Sequence, residues 1–364
     1  MRIRKTIKKI KNKMEGNGAS RFDVWLGLLL LSFPIHVQSL PLKGDFRFRI
    51  QWERENSDAE RVRERIRFRI GAVKHVDNVW ELGFGLATGG ANPRSTNETL
   101  ERAFETPDIR LDYAYAEWMA RNGLSIWFGK YKGIKKALWL TSDLLWDSDI
   151  RPDGVGVKFN MGYGSPDIFA NAGLFVLDEI KSNPHDPLMG YAQMGIKSCL
   201  SSDVKFYAGV AYYIPQNVKG YHLKHSSGTN TTDPLGNLIY NYQALAPSLK
   251  LSFGKFSIYS DFVYNPYVSH ANKGYLIGGS FSDKTSVGHF KVKYQFRRLE
   301  KDAWLDPFPD SDAYGGGTGV VGHEIELKLG LTKHASFAID FYTMKKLESN
   351  DHQNLIQFDL SWKF

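Results

Sequence analysis

From Asp45 to its end the chain alternates apolar and polar residues with a period of two, segment after segment. In Asp45–Glu53, Phe46, Phe48, Ile50 and Trp52 alternate with Arg47, Arg49 and Gln51. In the segment from Arg61 to Lys74, Val62, Ile66, Phe68, Ile70 and Ala72 alternate with Arg63, Arg65, Arg67 and Arg69, and Glu64 interrupts the apolar face near its start. The last segment sets Ile356, Phe358, Leu360, Trp362 and Phe364 against Gln357, Asp359, Ser361 and Lys363. Such a period describes strands with two unlike faces. A soluble sandwich turns the apolar face inward; a membrane barrel turns it to lipid and the arginines to a wet lumen.

The number and spacing of the segments choose between these. Sixteen of them follow one another, each of about 10 to 13 residues. Short turns such as Arg121–Gly123, Gly254–Lys255 and Thr332–His334 alternate with longer loops such as Gly89–Thr106, Asp178–Pro187 and Pro215–Asn241. An even strand number, strands long enough for a tilted crossing, and one side with tight turns predict an all-β transmembrane antiparallel barrel of 16 strands. Trp52, Trp80, Tyr212, Tyr213, Tyr264, Phe337 and Trp362 stand near strand ends, where interfacial girdles belong. In Arg110–Met119 and Leu188–Ile196 neither face is clean.

The first 39 residues read as a cleaved secretory signal. Eight basic residues precede and flank an apolar run from Val24 to Val37, which is too short to span a bilayer as a helix. Removing those eight of the 47 basic residues, with Glu15 and Asp23 of the 39 acidic ones, leaves 39 basic and 37 acidic, a net of +2. The high isoelectric point therefore comes mostly from the signal and is no argument for nucleic acid. One cysteine, Cys199, excludes an internal disulfide. A single barrel over residues 40–364 follows, with only Leu40–Gly44 ahead of the first strand and thus no plug domain.

One connection is too long for a hairpin and too rich in acids for a spacer. Ser142–Asp149 reads SDLLWDSD, inside a loop near residues 133–151, the third on the long-loop side. Leu144 and Trp146 are expected to pin it to the barrel wall, with Asp143, Asp147 and Asp149 reaching into water. Opposite them, Arg47, Arg49, Arg65, Arg67 and Arg69 face the lumen by alternation. The connection between the first two strands is expected to set Arg49 beside Arg67 and Arg47 beside Arg69. Like charges directly opposite cost stability, so an anion is expected nearby. If the loop folds inward, these residues predict a pore constriction with arginines on one wall and acids on the facing loop; the alternative is that the arginines simply pair with the loop to hold it folded, leaving no field across the opening. Further lumen charges are expected at Lys291, Lys293, Arg297, Glu324, Glu326, Asp340 and Asp359.

Catalytic signals are weak. No Gly-x-Ser-x-Gly elbow occurs, His222 and His225 sit among loop polar residues, and no helix follows Gly154-Val155-Gly156 to make a phosphate loop. The three loop aspartates offer Ca²⁺ its preferred oxygens but lack the glycine-containing spacing of a known site. No enzyme and no cofactor is expected. The competing reading is a barrel with an enzymatic, structural or adhesive role and no open channel.

Four stretches carry a resemblance: SDLLWDSDIRPDGV (142–155), YQFRRLEKDA (294–303), DSDAYGGGTGVVGH (310–323) and QFDLSWKF (357–364). Together, and in this order, they resemble the bacterial family of putative porins, sixteen-stranded outer-membrane barrels. The resemblance implies passive diffusion of small hydrophilic solutes across the outer membrane of a Gram-negative cell. The alternating last strand ending on Phe364 is similar to the signal read by the barrel-insertion machinery. Outer-membrane lipid and, by analogy with general porins, a homotrimer are the expected partners.

Overall fold

The computed structural model describes residues 41–56, 58–162, 166–181, 185–284 and 288–364. The expected signal at residues 1–39 lies outside the described residues. Sixteen long strands form one antiparallel sheet. They are β1 (Leu42–Glu55), β2 (Arg61–His75), β3 (Trp80–Thr88), β4 (Ile109–Met119), β5 (Leu124–Lys130), β6 (Asp153–Met161), β7 (Asp167–Val176) and β8 (Leu188–Cys199). The second half holds β9 (Val204–Gln216), β10 (Ala244–Phe253), β11 (Phe256–Tyr264), β12 (Lys273–Lys284), β13 (His289–Leu299), β14 (Val320–Gly330), β15 (Ala335–Lys346) and β16 (His352–Lys363). Strand β1 pairs with β2 on one side and β16 on the other, so the sheet closes on itself. At the seam Gly44 and Phe364 exchange both backbone hydrogen bonds, at 3.0 and 3.1 Å, and the Phe364 ring stacks on Phe68.

The outer face is apolar and uncovered. Leu82, Phe84, Ile258, Met194 and Ile277 are all exposed, Ile277 by 57%. The inner face buries Arg49, Gln51, Glu117, Gln295, Arg297 and Asp359. This inversion suits hydrocarbon outside and water or paired charge inside, and closure satisfies every interior strand without an edge.

The register between β1 and β2 differs from the expectation by two residues. Arg47 faces Arg67, Arg49 faces Arg65, and Arg69 faces Asp45. Glu53 pairs with Arg61 across the connection, so paired positions sum to 114 rather than 116. An even shift keeps every side chain on its face. Two arginine pairs still stand directly opposite each other, but Arg69 now faces the carboxylate of Asp45 in place of Arg47.

Three local features explain segments whose pattern is unclear in sequence. A bulge opposite Gly85 and Leu86 lets β4 pass from Tyr113 to Leu111, leaving Asp112 outside the ladder. The extra residue breaks the alternation and frees Asp112 to accept from Arg151 Nε at 3.1 Å. In β8 the inward Met189 and Tyr191 are buried beneath a loop, so the inner face there is as apolar as the outer one. Tyr213 belongs to the same buried cluster and is no girdle residue. Finally, β3 pairs only with the Arg69–His75 end of β2. The two-residue strand Glu98–Thr99 covers the next part of that edge, against Ile66 and Arg65.

Gly83 and Gly85 point inward on β3, and the rings of Tyr115 and Tyr113 lie against them where a Cβ would stand. Their lack of a side chain lets these tyrosines lie flat on the wall.

The inside-out arrangement makes a direct prediction. Ile277→Arg, on the lipid face, is expected to cost about 2–4 kcal/mol, and Ser280→Arg, facing the lumen on the same strand, far less. Denaturant unfolding of the two variants in lipid vesicles measures the difference; equal costs would contradict this assignment of faces.

Candidate pore constriction

The loop over residues 131–152 starts with a single helical turn, Ile134–Ala137, whose Ile134 and Ala137 are buried. The loop's backbone then hangs on side chains of the wall. Gln193 of β8 accepts from the amides of Trp139 and Leu140 at 2.8 and 3.1 Å and donates to the Leu140 carbonyl at 2.7 Å. Asn171 of β7 donates to the Ala137 carbonyl at 3.3 Å. A buried loop needs such partners for its peptide groups.

Leu144 and Trp146 are buried, with 1% and 2% of their surface exposed. The Trp146 ring meets Phe308, Trp304, Tyr213 and Phe175 at centroid distances of 5.1 to 6.0 Å. Its indole N–H donates to the Tyr213 hydroxyl at 3.2 Å, and the Trp304 indole donates to the Leu145 carbonyl at 2.8 Å.

Two of these rings come from another loop, residues 300–319. This second loop is bound to the first along its backbone. The Asp147 amide donates to the Phe308 carbonyl at 2.7 Å, and the Asp310 amide to the Asp143 carbonyl at 3.3 Å. Asp147 Oδ2 accepts from the Ser311 amide at 2.9 Å, and its Oδ1 from the Asp149 amide at 2.8 Å. Two further loops join. Arg94 donates to the Asp306 carbonyl and to Ser227 Oγ. Asp306 Oδ2 accepts from the amides of Thr229 and Asn230.

The three loop acids diverge. Asp149 reaches the arginine wall, 3.2 Å from Arg69 Nη1. Asp143 turns the other way, 3.3 Å from Lys135 and 3.9 Å from Lys293 of β13. Asp147 lies between them in the loop–loop contact. Burial opposes ionisation of Asp149, but Arg67, Arg69 and Arg151 outweigh it and hold the carboxyl down to about 2. Lys135, Lys293 and Arg297 likewise overcome burial at Asp143 and hold it well below the usual range. Asp147 goes well above its ordinary value through burial, with Asp310 and Asp149 adding to the effect.

The arginine wall draws most of its counter-charge from strands. Asp359 of β16 takes Arg49 Nε at 2.6 Å and Arg47 Nη1 at 3.1 Å. Asp45 takes Arg67 and Arg69 at 2.9 and 2.8 Å. Arg65 has Gln51 and Ser95 instead. The anion expected beside the opposed arginines is thus present, chiefly on β16 and at the start of β1.

Between the arginine wall and the loop lies a cavity of about 450 Å³. Of the residues singled out from sequence, Arg47, Arg49, Arg67, Asp143, Asp147 and Asp149 line it. Arg65 and Arg69 do not, and Leu144 and Trp146 are buried in the packing behind it. Residues missed from sequence share the lining: Arg94, Lys135, Asp310 and Asp312. A signal for two of them exists, because Asp310-Ser311-Asp312 repeats the tripeptide Asp147-Ser148-Asp149 that it binds. Burial, with Asp312, Asp143 and Glu324 adding, pushes Asp310 up to about 7 against the pull of Arg297, which stands 2.9 Å away.

The sequence profile described as putative porin matches residues 37–250 and 237–364, nearly all of the chain beyond its N-terminal segment. The chain belongs to the putative porin family. Its fold is similar to that of Pseudomonas putida OprB in a high-pH structure, with a TM-score of 0.59 at 12% identity over 89% of this chain and 94% of that one. It is also similar to Salmonella typhi OmpF in a complex with daunomycin, with a TM-score of 0.55 at 11% identity over 89% and 97%. No curated protein matches the sequence. As a porin the protein is an outer-membrane channel, and a closed barrel around a charge-lined cavity is the structure such a channel requires.

Two outcomes are expected of the loops in this porin. Trp146→Ala should remove about 3–5 kcal/mol of packing, read as faster amide exchange across residues 139–149 with the barrel strands unchanged. The second concerns pH. A carboxyl raised on folding stabilises fully below its unfolded value and loses that contribution as pH rises through its folded one. The contact between the two loops should therefore weaken as pH climbs from about 4 through about 7. The protection of the Ser311 amide, with exchange corrected for its intrinsic pH dependence, should fall over that range in the wild type and stay flat in Asp310→Asn; the same fall in both would rule out Asp310 as the cause.

Proposed function

We propose that this porin sits in the outer membrane of a Gram-negative bacterium, without enzymatic activity, and lets small hydrophilic solutes and ions diffuse passively. The observation that carries this is the cavity between Arg47, Arg49 and Arg67 on one side and the loop with Asp143, Asp147 and Asp149 on the other. Fixed charges of both signs along one opening orient polar solutes and disfavour apolar ones, which cannot replace the water they displace.

Within that reading the residues divide by role. Arg47, Arg49 and Arg67 supply the basic wall. Asp143 supplies acid that faces the cavity, whereas Asp149, paired with Arg69, mainly holds the loop in place. Arg65 supports the wall from beside the cavity. Leu144 and Trp146 anchor the loop. Residues 1–39 act as the export signal, the strand ending on Phe364 addresses the insertion machinery, lipid surrounds the apolar belt, and three copies assemble as in general porins. Light scattering that finds only monomers in detergent would count against the trimer.

Purified protein in a planar bilayer should give stepwise conductance. A correctly inserted but silent barrel would favour a structural or enzymatic role instead. Exchanging Arg47 and Arg67 for serine should move the zero-current potential in a KCl gradient toward cation preference. Asp143→Asn should move it the other way, and Asp147→Asn should move it less, because both carboxyl oxygens of Asp147 are taken up by backbone amides of the two loops. If none of these changes moves the potential, these residues do not form the constriction.

A further inference from the structure

Most cations of the inner wall are neutralised by a carboxylate within ion-pair distance. This holds for the arginines at 47, 49, 67 and 69 and for the lysines at 291 and 293. The short-turn end of β8, β9 and β10 is different. There Lys197, Lys205 and Lys250 face the lumen. Lys205 and Tyr207 share a face with Tyr213, which packs under the inward loop. Lys197 shares one with Gln193, which bonds that loop. Lys250 itself lines the main cavity.

Tyr207 lies between two of the lysines. Its direct cross-strand neighbours are Lys197 on β8 and Lys250 on β10. Both ammonium groups stand 5.9 Å from the centre of its ring. Lys205 is two residues along the same strand. Among the described residues none of the three lysines makes an ion pair. Asp167 is opposite Lys197 in register, on the side away from Tyr207, and does not pair with it. Strands spaced about 4.8 Å apart put the two flanking backbones about 10 Å from each other, a gap that two lysine side chains can close around one small anion. An aromatic face attracts an ammonium without cancelling its charge, so it holds the lysines in place and leaves them able to bind.

We propose that Lys197, Lys205 and Lys250, arranged around Tyr207, form an anion-binding station at the short-turn mouth of the channel, for solutes carrying a phosphate or carboxylate group. The inference rests on the open-channel reading for its physiological sense, but the binding itself is separable. An anion that passes the arginine wall next meets Lys250, which borders both the cavity and the station. Three point charges without acidic partners among the described residues suit transient capture, because each contact is charge-assisted yet lacks the fixed fork that arginine offers.

The test uses the full barrel and inorganic phosphate. Calorimetric titration at low salt should show phosphate binding that weakens roughly tenfold or more when all three lysines become glutamine. The triple Lys→Arg variant should bind nearly as the wild type does, which separates charge from any structural role. In a bilayer, phosphate added on the short-turn side should reduce chloride current in the wild type and not in the glutamine variant. The proposal is overturned if wild-type protein binds no phosphate, if the glutamine variant binds it as tightly, or if the arginine variant loses as much as the glutamine one. Protein that binds phosphate through these lysines yet never conducts would overturn the channel reading and leave the station standing.

Discussion

Hydrocarbon offers a peptide group no hydrogen bond, and this constraint shapes the whole molecule. A spanning strand must give its N–H and C=O groups to neighbours on both sides, so the sheet has to close. Closure sorts the side chains into those that meet lipid and those that meet one another. The outer belt then needs only to be apolar. The inner wall inherits most of the charge, and every charge there must find water or a partner. The ion pairs of β1, β2 and β16, and those of β13 and β14, are the consequence.

The loops extend the same logic. Residues 131–152 bring peptide groups into a space where bulk water is scarce, and Gln193 and Asn171 satisfy part of them. The loop over residues 300–319 satisfies more, and itself depends on Arg94 and on the segment around Thr229. The opening is therefore set by four interlocked loops against one wall. Trp146 is the apolar centre of that assembly, and its rings come from two strands and from the second loop.

The strands were legible because lipid reads only one face of each, and a period of two survives wherever the inner face is polar. Where a loop covers the inner face, as at Tyr191 and Tyr213, the pattern blurs and a packed tyrosine passes for a girdle residue. The bulge at Asp112 hides for a related reason: one extra residue inverts the parity of everything after it. The candidate site was legible in its first half. Asp143, Asp147 and Asp149 stand out as acids in a long loop, and Arg47, Arg49 and Arg67 as arginines on a strand. Their partners did not stand out, because Asp310 and Asp312 are far away in sequence and only the shared Asp-Ser-Asp tripeptide links them. The departure of the three acids in different directions depends on which cation each meets, and no local pattern encodes that.

Asp359 lies on the last strand, and the two arginines it neutralises lie on the first. Until the first and last strands meet, Arg47 and Arg49 stand without this carboxylate. The seam can therefore mature only when the final strand arrives, and its arrival removes charge repulsion as well as supplying backbone partners. Biogenesis and permeation thus share one carboxylate. A lineage that retunes the channel at position 359 also alters how firmly its barrel zips shut, which restricts the evolutionary routes open to that residue more than to Asp143 on its loop.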